Sequence, residues 1–77
     1  MPEERTVDTL GDALPREMTR VRTEIMPVYY AKLATAPGEQ FMIDVMNDSL
    51  DRAQTALAQG DLIAILRAYH DLKGYQL

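Results

Sequence analysis

Seventy-seven residues make one small domain, and the absence of cysteine excludes a disulfide scaffold, a cysteine-ligated zinc site, an iron–sulfur cluster and a cysteine nucleophile. Hydrophobic residues at 47% and charged residues at 26% are a globular composition and not a disordered one. Eight basic against twelve acidic residues leave a formal net charge of -4, too mild an excess to mimic nucleic acid and of the wrong sign to bind it.

The first five residues, Met1-Pro2-Glu3-Glu4-Arg5, are polar and read as a frayed end. Residues 6–11 read as one helical turn or an irregular arm, with Thr6 as cap and Val7 and Leu10 on one face. Gly11 is expected to end that turn, because the ring of Pro15 would clash with the Gly11 carbonyl in a continuous helix.

The first long helix is expected over residues 14–34, with Asp12 as cap and Pro15 in its first turn. Leu14, Met18, Val21, Ile25 and Val28 recur at alternating steps of four and three, the spacing of a seam between helices. Pro27 cannot donate to the carbonyl of Thr23 and is expected to kink the helix there. Thr35-Ala36-Pro37-Gly38 then breaks the chain.

The second helix is expected over residues 39–58, with Phe41, Met42, Val45, Met46, Leu50, Ala53 and Leu57 as its apolar stripe and Asp44, Asp48 and Asp51 on a polar face. Gly60 suits the left-handed position after that helix, and Asp61 suits the cap of the next. The third helix, over residues 61–73, presents Leu62, Ile63, Ile65, Leu66, Tyr69 and Leu72 as a broad face expected to pack on the other two. Lys73 favours its C-terminus and Gly74 ends it. No stretch alternates with a period of two. The fold class is therefore all-α: a single domain, residues 1–77, built as a small antiparallel three-helix bundle. Such a core is either self-contained or completed by dimerisation, because a chain of this size buries only roughly 60% of its unfolded surface.

Catalytic chemistry finds little to work with. His70 is the sole histidine and Ser49 the sole serine, so neither a two-histidine metal motif nor a serine in a glycine elbow exists within the chain. Asp44, Asp48 and Asp51 share a helix face, but without Glu-x-x-His partners they read as a solvated acidic surface, with Asp51 in reach of Arg20 or Arg22. Ala56 and Gly60 stand as in a helix-turn-helix, yet the following helix opens Asp61-Leu62-Ile63 where bases and phosphates need basic or amide side chains. The expectations are no enzyme activity, no cofactor, no metal and no nucleic acid.

No apolar run is long enough to cross a bilayer, the longest being Leu62 to Leu66, and the N-terminus lacks the pattern of a signal peptide. A cytoplasmic location without membrane attachment is the expectation.

The segments Leu14-Pro15-Arg16-Glu17-Met18 and Glu24-Ile25-Met26-Pro27-Val28-Tyr29, with Gly60-Asp61, Tyr69 and Leu72-Lys73-Gly74-Tyr75, resemble those of small helical accessory proteins of bacterial temperate phages and other mobile elements. The resemblance implies a bacterial cytoplasmic setting and an accessory role, often exercised by binding another protein; it implies no functional residue.

A site is suggested by length. The third helix spans about 18 Å and the first two about 30 Å each, so the half of the hairpin near Pro37 is expected to lack cover. That half carries Met26, Tyr29, Tyr30, Leu33, Phe41, Met42 and Val45, a mixture of the kind interfaces favour. The functional expectation is a protein-interaction module that binds a protein partner there, or else a self-associating assembly component. The alternative for the patch itself is that Tyr75 and Leu77, or the N-terminal arm, fold over it.

Overall fold

The computed structural model describes residues 9–77, and every element among them is helical. Helix α1 (Leu10–Arg20) continues through a π-helical turn (Val21–Ile25) into α2 (Met26–Lys32); α3 (Glu39–Gln59) and α4 (Leu62–Lys73) follow. Helix α4 packs on both α1 and α3, and α2 packs on α3. The result is an antiparallel three-helix bundle at the Gly60 end that thins to a two-helix hairpin toward Pro37.

Helix α1 starts earlier than expected. Thr9 is its extended N-cap residue, and the Thr9 carbonyl accepts from the amides of Asp12 (3.0 Å) and Ala13 (2.8 Å). Gly11 lies within the helix, so it does not close a separate turn, and Asp12 sits in the first turn where its charge is favourable. Pro15 is therefore inside the helix. The Gly11 carbonyl loses its amide partner there, but Gly11 is exposed, so water can satisfy it. Of the expected frayed end and arm, residues 1–8 lie outside the described residues.

Pro27 is accommodated upstream. The amide of Met26 donates five residues back to the Val21 carbonyl, which adds one residue to the turn. Pro27 then falls in the first turn of α2, where a missing amide costs nothing. The extra residue also rotates the inward face. Val21, Ile25 and Met26 are buried, Tyr29 and Leu33 pack against the core, and Val28 drops from the expected seam to half-buried.

Helix α3 buries Ile43, Met46, Ser49, Leu50, Ala53 and Ala56. Ile43 takes the place that Phe41 was expected to hold, and Phe41 is 70% exposed. Gly60 closes α3 in the left-handed region (φ 67°), which a side chain would strain. Asp61 caps α4, its Oδ1 accepting from the amides of Ile63 (3.1 Å) and Ala64 (3.2 Å).

Helix α4 turns only part of its apolar surface inward. Ile65, Ala68 and Leu72 are buried, whereas Leu62, Ile63 and Leu66 are exposed, correcting the expectation that the broad face packs as a whole. The geometry requires this. Ile63 stands about 200° around the helix from Ile65, so one hairpin cannot cover both.

Candidate interaction surface

The C-terminus of α4 is fixed halfway along the hairpin. Arg20 Nη2 donates to the carbonyls of Leu72 (3.0 Å) and Tyr75 (2.9 Å), while its Nε donates to Glu17 at 3.0 Å. The hydroxyls of Ser49 and Tyr75 meet at 2.8 Å. Arg20 is thus engaged at the end of α4 and not with Asp51, where a surface pair was expected. Tyr75 is committed to the Ser49 level, so it does not fold over the residues beside Pro37, and Leu77 is exposed.

Beyond that level the hairpin of α2 and α3 carries the expected patch, and the structure divides it. Met26 is only 6% exposed and belongs to the core, so it is no contact residue. Tyr29, Leu33 and Met42 are half-buried against the core, and Val45 is half-buried as well. Tyr30 at 52% and Phe41 at 70% project into solvent. Tyr30 on α2 and Phe41 on α3 are thus the exposed aromatic side chains of this end, and Phe41, about 200° around α3 from buried Ile43, faces away from the core. Lys32 Nζ lies over the Tyr29 ring, 5.4 Å from its centroid, a cation–π contact.

Periodicity missed a second apolar surface. Leu62 (70%), Ile63 (67%) and Leu66 (42%) lie exposed together on the outer side of α4. Beside them an open groove of about 550 Å³ runs between α3 and α4, with Ala56, Ala64 and Ala68 along its floor. Its walls carry Asp51, Arg52, Asp61, Arg67 and Asp71, charges of both signs. The signal for this surface was present in the unbroken apolar run Leu62 to Leu66, which no single helix face accommodates.

Asp44, Asp48 and His70 are engaged locally. Asp44 accepts from Gln40 Nε2 at 2.8 Å, and Asp48 pairs with Arg52 at 2.8 Å. Exposed His70 stands edge-on to the Tyr69 ring, with centroids 5.7 Å apart. Among the described residues no group of three or more His, Cys, Asp or Glu is placed to hold a metal ion, and no helix is long and apolar enough to cross a membrane. Comparison with protein families, with curated proteins and with solved structures found no match for this chain.

Proposed function

We propose that this chain is a protein-interaction module that docks a protein partner at its Pro37 end, with Tyr30 and Phe41 as the anchoring side chains. The observation that carries this reading is the 70% exposure of Phe41 on a part of the hairpin that α4 does not reach. Aromatic side chains on an apolar floor bury much area at small entropic cost, which is why interfaces concentrate binding energy in them. Tyr29, Leu33, Met42 and Val45 would form the rim that excludes water, and Met26 would support them from the core. A non-enzymatic, accessory role in a bacterial cytoplasm, as the resemblance implies, belongs to the same proposal.

The test is capture from a bacterial lysate by wild type and by the Tyr30→Ala/Phe41→Ala variant, read by quantitative mass spectrometry. The expected result is a defined protein retained by wild type and lost by the variant. Equal retention by both would remove the Pro37 end from the reading. A self-associating assembly role is the competing reading, and the second apolar surface, on α4, is the observation that favours it.

A further inference from the structure

The outer face of α4 has three large apolar side chains in water, and its inward face is already fully used. We propose that this face pairs with the same face of a second copy, the two α4 helices packing antiparallel about a two-fold axis near Ala64. This inference goes beyond the docking role of the Pro37 end and does not depend on it.

Charge selects the occupant. The chain as a whole carries -4, which opposes self-association. Helix α4 with its cap is neutral: Asp61 and Asp71 balance Arg67 and Lys73. The order of those charges fits an antiparallel copy. With the axis at the level of Ala64, residues whose numbers sum to 128 stand at the same height, so Leu62 of one copy meets Leu66 of the other, and the two Ile63 residues, offset by about 3 Å along the helix axes, are near neighbours. The same register sets Arg67 opposite Asp61 of the second copy, and the symmetry makes that contact twice. Asp61, Ile63 and Arg67 all line one side of α4, that of the groove toward α3, which is the side a two-fold axis of this kind brings together. The Asp61 Oδ1 takes the cap bonds, so Oδ2 is the oxygen offered to the partner guanidinium. Among the described residues Arg67 makes no ion pair within its own chain.

Three apolar side chains a side make a small interface against the roughly 800 Å² per partner of a stable complex, so association should be micromolar and not nanomolar. Because α4 runs from the Gly60 end toward Pro37, an antiparallel pair would carry its two Tyr30/Phe41 ends at opposite poles. One dimer could then engage two partners.

Sedimentation equilibrium over a concentration series tests the inference. Wild type should dimerise, and Ile63→Lys should abolish dimerisation. Phe41→Lys should leave it unchanged, which separates this face from the Pro37 end. Arg67→Glu and Asp61→Arg should each weaken the dimer by about tenfold or more, since each sets like charges in contact twice. An equimolar mixture of those two variants should regain it, because both cross-contacts in the mixed dimer are then of opposite charge. Circular dichroism of each variant establishes that it remains helical. Wild type that stays monomeric into the millimolar range overturns the proposal. So does a dimer that survives Ile63→Lys, or a charge-variant mixture no stronger than its components.

Discussion

Arg20 and Leu72 are joined across the bundle: Nη2 of Arg20 lies 3.0 Å from the Leu72 carbonyl, 52 residues away. The Leu72 carbonyl also accepts from the Tyr75 amide at 3.1 Å, and the partial negative charge of a helix C-terminus makes a guanidinium there favourable. The same Nη2 reaches the Tyr75 carbonyl, which ties the C-terminal tail to α1 as well. This one side chain fastens the end of α4, which Gly74 closes, to the middle of the hairpin.

Arg20→Ala should destabilise the fold by about 1–3 kcal/mol, the range for hydrogen bonds to a charged group. Arg20→Lys should recover only part of the loss, because an ammonium cannot serve Glu17 and two carbonyls in the fork geometry. Urea denaturation of the two variants measures both. Full recovery by lysine would reduce the latch to simple charge.

Ser49 and Tyr75 should be coupled. Ser49 is buried, and its hydroxyl meets that of Tyr75 at 2.8 Å. Tyr75→Phe and Ser49→Ala should each cost about 0.5–1.5 kcal/mol, and the double variant should cost less than their sum. A strictly additive double-mutant cycle in urea would mean that the hydroxyls do not depend on each other.

The two faces of α4 should respond differently to truncation. Leu72→Ala removes a fully buried side chain and should cost about 2–5 kcal/mol, enough to threaten a fold of this size. Leu66, at 42% exposure, should lose about 1 kcal/mol or less on the same change in the monomer. Thermal melts at low concentration compare them directly, and equal losses would mean that α4 is rotated from the orientation described.

Pro15 sits inside α1, so replacing it should stabilise the chain. A mid-helix proline costs about 3 kcal/mol against alanine, while losing its restriction on the unfolded chain returns roughly 0.4–1 kcal/mol to the unfolded state. Pro15→Ala should therefore raise stability by about 2–2.6 kcal/mol, seen as a higher midpoint in thermal melts. A lower midpoint would show that the ring packs usefully against its neighbours.

Helix number, order and turns were legible because Pro37, Gly38, Gly60 and Asp61 mark them by backbone chemistry that acts locally. What was not legible depended on rotation. Pro27 announced a disturbance, but its relief by a π-helical turn upstream depends on which carbonyls can be left to solvent. That choice exchanged Met26 for Val28 in the seam. Ile43, Met46, Leu50 and Ala53 follow steps of three and four, so the true stripe of α3 was available; Phe41, four residues before Val45, also stood at helical spacing, and spacing alone did not choose between the two. In α4, apolar residues occupy opposite sides, and periodicity cannot choose the inward one. The Arg20 latch joins residues far apart in sequence and has no local signature.

The central claim concerns Tyr30 and Phe41, and it is tested most directly by measuring stability and partner retention on the same variant. In Tyr30→Ala/Phe41→Ala, the captured protein should bind more weakly by about 2 kcal/mol or more, as for buried aromatic anchors. The melting temperature should stay close to that of wild type, since exposed side chains lose little on truncation. Arg52→Ala, which removes only the exposed pair with Asp48, should leave both unchanged. A large fall in melting temperature with retention unaltered would place the two aromatics in the core and contradict the docking surface.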